Sequence, residues 1–569
     1  MATSKTDISI GDLVRMIEKG ELRLPEMQRG YVWRASRVRD LLDSLYRGYP
    51  SGSILVWQTD DPQPSRDLDV AQSSPSFAGH KLLLDGQQRL TSLSAVLRGE
   101  PVVVRGRRKP VDILFNLEHP DSVHEFTEVE DDSPNGDSEI EENNEDEGQD
   151  LSLPERLKNL TFVVASRQLA QQSNWVSVSD VFKSDSDSAF LKRIGVVNLD
   201  DPRCAKYQQR LQRLRGIKSY MYSVNVLSQD LTYEEVAEIF VRVNSLGVKL
   251  RGSDLALAQI TARWPNSLHL FEEFQEECEE SYMTLDLGLL VRTLVVFATD
   301  QSKFARVASL SQKHLQEAWE KAKQGLRFAV NFLRTNADVE DETLLSSPLF
   351  FIVIAYFSQL KSEKLSAGEV KQLLYWLYIA SARGRFSRGS TETLLDADLR
   401  TLRRNGSVTE VIELLRQQFG RLEVEPTDFA GRGYGSPLFS LVFMALRNGG
   451  ATDWSSGIGI STSLQGRQHK IQYHHIFPKG LLKDHYDRGL INEIANMAFI
   501  SSRTNQRIGK RDPGEYLAEI ISERGADELE RQAVPLDRSL YVIEKFETFL
   551  EERRRLLCDK VNAFLGQYK

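Results

Sequence analysis

A change of apolar period near residue 230 restricts this 569-residue chain more than any other feature of its sequence. Upstream, short apolar runs at residues 54–57, 81–84 and 111–117 alternate with amphipathic stretches and turn residues, the pattern of strands interleaved with helices. Downstream, to about residue 450, apolar positions recur at helical spacing. The switch begins in "LTYEEVAEIFVRVNSLG", where Thr232 and Glu235 make a capping box and Val236, Ile239, Phe240 and Val243 share a face. After Gly449-Gly450 the composition turns to Gly, Ser, Thr and His. The expected fold class is therefore α+β and multidomain, since a chain this long exceeds a single core. We place a small α/β domain at 1–228, a helical domain at 229–450 and a last domain at 451–569.

Local signals sharpen this outline. Ser9 and Asp12 cap a first helix that stops at Gly20. Ser36 can cap a second, with Val38, Leu41, Leu42 and Leu45 inward and Gly48 and Pro50 ending it. A strand at 81–84, a turn at Asp85-Gly86 and a helix carrying Leu90, Leu93 and Leu97 follow. Ser347-Pro348 and Ser436-Pro437 read as N-cap and first residue of two buried helices. A final helix over about 539–565 should leave Arg553, Arg554 and Arg555 exposed.

The net charge of −9 argues against a nucleic-acid partner only until its source is located. Residues 118–150 hold fifteen Asp and Glu and no Lys or Arg; without them the chain would carry +6. That stretch has too little apolar content to pack and reads as a disordered insertion. Such a tract can also stand in for DNA in a basic groove, although a solvated loop is the commoner form. No run of eighteen apolar residues exists and the N-terminus has no hydrophobic signal core, so we expect a cytoplasmic protein without membrane contact. Cys204, Cys278 and Cys558 are too scattered for a disulfide framework or a thiolate zinc site.

Histidine marks the place where chemistry concentrates. Of nine in the chain, His469, His474, His475 and His485 fall within seventeen residues, around "QYHHIFPKG". A strand over 472–476, a second over 497–500 and a helix from about Ser502 would make a ββα unit holding His475, Asn496 and Asn505. Neighbours on a strand point oppositely, so His474 and His475 should have different tasks. Hydrolysis of a phosphodiester needs a base near neutrality, which imidazole supplies, and a cation at the leaving oxygen. Two other readings compete: His469 and His474 have the spacing of half a zinc site, and the pair could be a satisfied polar cluster in the core.

The motif Y-H-H-I-F-P followed by N-x8-N-x4-K resembles the HNH, or ββα-metal, nuclease domain at the end of GmrSD-type restriction proteins. The resemblance implies His475 as general base, His474 and Asn505 as metal ligands, Asn496 as the residue holding the base strand, and Lys510 or Arg511 as a phosphate contact. One imidazole and one amide oxygen suit a largely hydrated Mg²⁺ or Mn²⁺ better than zinc.

Two N-terminal stretches stand out, "LPEMQRGYVW" and "LLLDGQQRLTSL". A strand running into Asp85-Gly86-Gln87-Gln88-Arg89 at a helix start offers backbone N–H groups, a glycine and an arginine to a phosphate, though as a bare pattern this is also an ordinary turn. Together with G-Y-P-x-G and F-x-R-x-N-S-x-G, these motifs resemble the N-terminal domain of the GmrSD family, whose fold is similar to ParB and sulfiredoxin. The resemblance implies a nucleoside triphosphate (ATP, GTP or other) at Asp85, Gly86, Gln87, Gln88 and Arg89, with Gln28 and Arg29 facing it. Tyr31 and Trp33 either pack in the core, the better reading for Trp33, or line a pocket for a modified nucleotide.

The function implied is a nucleotide-regulated, modification-dependent DNA endonuclease of antiphage defence, acting on double-stranded phage DNA. A DNA-binding sensor with a silent nuclease site and an HNH ribonuclease toxin are the alternatives. A homodimer is left open.

Overall fold

In the computed structural model, which describes the chain except for residues 1–3, 29–30, 32, 60–64, 67, 69–79, 105–109, 121–159, 185, 197, 199, 247–251, 282, 388–389 and 463–470, the interleaved strands and helices assemble as a mixed sheet. They belong to the first of two units, Met1–Asn266; the second, Ser267–Lys569, is largely helical. The first unit thus runs past residue 228 and takes in the helices Tyr233–Leu246 and Gly252–Arg263. Arg29, His469 and nearly all of the acidic stretch lie outside the described residues.

The sheet uses β1 (Ser4–Ser9), β2 (Leu22–Pro25), β3 (Ile54–Thr59), β4 (Ser65–Arg66) and β5 (His80–Asp85). A separate antiparallel trio comprises β6 (Ile113–Asn116), β7 (Phe162–Val164) and β8 (Trp175–Ser177). With β9 (Met221–Leu227) the six-stranded order is β1-β9-β3-β5-β2-β4, parallel between β3 and β9 and between β2 and β5. β5 is therefore central, and the helix Gln87–Leu97 that follows it is buried on most sides, Leu90 and Leu93 completely.

Local signals translate closely. Ser9 accepts from the Asp12 N–H at 3.1 Å, and Thr232 and Glu235 exchange both capping-box bonds. The second helix, Ala35–Arg47, departs from expectation: it starts from Arg34 without a side-chain cap, so Ser36 lies inside its first turn. Gly48 ends it in the left-handed region, as expected. Of the two Ser-Pro starts, Ser436 caps the helix Pro437–Asn448, whereas the helix Leu349–Leu360 begins one residue later with Pro348 as its cap.

In the second unit, β10 (Ile471–His475) and β11 (Met497–Ser501) pair antiparallel, with His475 opposite Met497, and the helix Ser502–Ile508 follows. The last helix is Phe546–Gly566, shorter at its start than expected because 3₁₀ turns occupy 538–540 and 543–545. Its arginines overturn the expectation of an exposed basic end. Arg553 is wholly buried, Arg554 is bidentate to the buried Glu493, and Arg555 alone faces solvent, paired with Glu552 and Asp559. A run of three successive arginines cannot share a helix face at 100° per residue, so one turns inward.

Candidate functional site

The ββα unit separates the two histidines as strand geometry requires. His474 turns into the unit, where its ring meets Tyr516 at 5.8 Å and Trp454 at 6.3 Å, edge-on to both. Its Nδ1 donates to Asn505 Oδ1 at 2.8 Å, while Nε2 is buried with no partner among the described residues. Asn505 in turn donates from Nδ2 to Gln472 Oε1 at 2.8 Å, which points its amide oxygen at the imidazole. With the ring proton moved from Nδ1 to the unpartnered Nε2, the Nδ1 lone pair and Asn505 Oδ1, 2.8 Å apart, could face one hydrated divalent cation together. No group of three or more His, Cys, Asp or Glu converges among the described residues; the half-site reading of His469 with His474 falls on a residue outside them.

His475 faces the other way. Its Nε2 donates to Asn492 Oδ1 at 3.1 Å, a partner that sequence reading missed although "INEIAN" places two asparagines four residues apart. With Nε2 carrying the proton, Nδ1 is the nitrogen with a lone pair. Burial pushes both imidazoles down to about 4; the neighbouring Lys479 charge adds to this at His475, and the asparagine bonds oppose it at each. Both rings are thus neutral at physiological pH, the form that a base or a ligand needs.

Asn496 is fully buried and spends its amide on the chain itself. It accepts from Phe477 N at 2.9 Å and donates to Phe477 O at 3.1 Å and Ile491 O at 3.0 Å, locking the turn after β10 to the approach to β11. Lys510 is exposed and its stem reaches Gly480, which places it beside Lys479. Arg511 is paired with Glu519 at 2.6 Å.

In the first unit the two N-terminal signatures are stitched together. Gln28 donates to Leu83 O in β5, Gln88 Oε1 accepts from Trp33 N at 3.2 Å, and the Tyr31 hydroxyl meets Ser92 Oγ at 2.7 Å. Trp33 packs against the main core, as expected, and so does Tyr31. Gly86 caps the helix with φ 98°, a conformation that L side chains rarely adopt, and a Cβ there would also displace the end of the Ile54 side chain, so this strand-to-helix turn favours glycine. Gln87 is buried. Arg89 does not project as an open fork: its guanidinium donates to Ser51 O at 2.6 Å, Ser53 O at 2.8 Å and Asp85 Oδ2 at 3.2 Å. It holds the 51–53 turn across the helix start.

Comparison with known proteins agrees with this division. Residues 10–261, almost the whole first unit, match the family described as GmrSD restriction endonuclease, N-terminal domain. An uncharacterised protein of Methanocaldococcus jannaschii is 24% identical over 562 residues, covering 90% of this chain and 86% of the relative. The alignment is longer than either unit, so the likeness extends across both. No helix among the described residues is long and apolar enough to cross a membrane.

Proposed function

We propose that this chain is a restriction endonuclease of phage defence that hydrolyses modified double-stranded DNA at the ββα unit under control of a nucleotide bound in the first unit. The observation that carries the reading is the pairing of His474 with Asn505 at 2.8 Å beside a separately held, neutral His475, in a chain whose first unit matches a restriction-endonuclease domain. His475 Nδ1 takes the proton from the attacking water, and Asn492 keeps the ring in the tautomer that can do so. His474, with its proton on Nε2, and Asn505 would hold Mg²⁺ or Mn²⁺, which would supply positive charge to the phosphate and the leaving oxygen. Asn496 keeps the base strand in register, and Lys510 contributes charge toward the phosphate.

In the first unit, Gly86 lets a phosphate approach the uncapped start of the helix Gln87–Leu97, where the backbone dipole favours an anion. Asp85, Gln87, Gln88 and Arg89 shape that turn, with Gln28 on the segment bonded to β5. Incubating the purified protein with phage genomes of different modification, with and without Mg²⁺, Mn²⁺, ATP and GTP, tests the reading. Metal-dependent cutting that follows the modification and the nucleotide supports it. Binding without cutting would indicate a sensor, and cutting of RNA alone a ribonuclease.

A further inference from the structure

Residues 430–436, Ala-Gly-Arg-Gly-Tyr-Gly-Ser, precede the helix Pro437–Asn448 and fall outside the ββα unit, yet they are docked onto it. Gly431 N donates to Glu493 Oε2 at 3.0 Å, and Ile494 N donates to Arg432 O at 2.7 Å. Gly433 lies so close to the chain that a Cβ would stand 2.9 Å from Asn492 O, a backbone atom that cannot step aside. Glu493 is itself clamped by Arg554 at 2.6 and 2.8 Å. The loop is thereby fixed to the segment that supplies the partner of His475.

What this fixing delivers is aromatic surface. The Tyr434 ring stacks on Tyr473 with centroids 5.3 Å apart and planes 11° from parallel, and Phe439 braces Tyr473 edge-on from 5.7 Å. Tyr473 stands two residues before His475 on β10, hence on the same strand face, with ring centroids 6.5 Å apart. The two tyrosines remain 46% and 42% exposed. Single exposed aromatics are common, but a stacked and braced pair beside a candidate base is a flat platform at the place where a cut strand would lie. Arg432 is exposed, with no ion pair among the described residues, and Lys479 is exposed at the end of the turn after His475.

We infer that the 430–436 loop belongs to the substrate site and that Tyr434 and Tyr473 stack an unpaired or flipped nucleobase next to the phosphodiester presented to His475, with Arg432 on a flanking phosphate. This rests on the DNA-cleavage reading above. Stacking accepts any base, so the platform would grip the strand without reading its sequence, leaving discrimination to other parts of the molecule. It also favours sites where unstacking costs least, at mismatches, nicks and distorted steps.

The test uses the full chain and DNA with 2-aminopurine at successive positions, in single strands and in duplexes with one mismatch. The wild-type protein should quench the fluorophore at one or two positions adjacent to the cut. Tyr434→Ala should abolish that quenching and raise KM roughly tenfold, as expected for loss of one stacked base. Tyr434→Phe, which keeps the ring, should behave as wild type, and Arg432→Ala should weaken binding while the quenching at saturation persists. Wild-type KM and quenching in Tyr434→Ala, on DNA that the wild-type protein cuts, would overturn the inference. Position-specific quenching by a wild-type protein that cuts nothing would uphold the platform and overturn the nuclease reading instead.

Discussion

Arg553 and Met497 meet at 2.6 Å, guanidinium to backbone carbonyl, in a place from which water is excluded. The same side chain donates to Ala495 O at 2.8 Å, Gln532 O at 3.1 Å and Ala533 O at 3.3 Å, and burial pushes its pKa down to about 9. It therefore ties the C-terminal helix to both residues flanking Asn496. Replacing Arg553 with Ala should strip several buried carbonyls of their donor and lower stability by about 3–5 kcal/mol, with Lys recovering only part. Urea unfolding of the three proteins measures this. An unchanged midpoint for Arg553→Ala would show that the carbonyls find other partners.

His475→Ala should lower cleavage by about 10²–10⁴-fold while leaving the unfolding midpoint near that of the wild-type protein. Asn492→Ala should act in the same direction more weakly, because the base remains but loses the acceptor that sets its tautomer. Single-turnover nicking rates separate the two. Residual cutting near the wild-type rate in His475→Ala would remove that residue from the chemistry.

His474→Ala and Asn505→Ala should raise the Mg²⁺ or Mn²⁺ concentration needed for half-maximal cutting, on the order of 10–100-fold. A metal titration at fixed DNA reads this directly. Stoichiometric zinc supporting faster cutting than either ion would contradict the donor set of one imidazole and one amide oxygen.

The pH dependence has a definite sign. His474 is held neutral down to about 4, whereas in the unfolded chain it titrates near its ordinary 6.5. Between those values the unfolded state takes up a proton that the native state refuses, so stability falls as pH drops from 6.5 to about 4, by roughly 3 kcal/mol for this residue. Denaturation in EDTA across that range, beside His474→Asn, should show a shallower decline in the variant. Cutting should likewise persist below pH 6, because His475 is also held neutral to about 4.

Arg89→Ala should weaken nucleotide binding at least tenfold, and Arg89→Lys should not restore it, since an ammonium cannot serve Ser51 O and Ser53 O together in the way the planar fork does. Calorimetry with ATP and GTP is the measurement. Wild-type affinity in both variants would place the nucleotide elsewhere.

Period and punctuation were legible along the chain wherever a signal is local. Capping at Ser9 and Thr232, the strand-turn-helix at Asp85-Gly86, and the two strands and helix around His474 and His475 lie within a few residues of their expected places, because each rests on neighbours a few positions apart. β1 was not legible, since this edge strand shows no apolar alternation and exists through its pairing with a partner over 200 residues away, whereas β9 carries an alternation, Tyr222, Val224, Val226, that sequence reading missed. The same holds for the sites. Residue types and spacing singled out His474, His475, Asn496 and Asn505, but which imidazole meets which amide depends on the register of β10 against β11 and on the helix packed behind them. The burial of Arg553, the commitment of Arg89 to the 51–53 turn and the seating of Tyr434 on Tyr473 join residues 20 to 58 positions apart in sequence. Such contacts are settled by which buried carbonyls and ring faces would otherwise go without a partner, a condition that exists only once the units have packed.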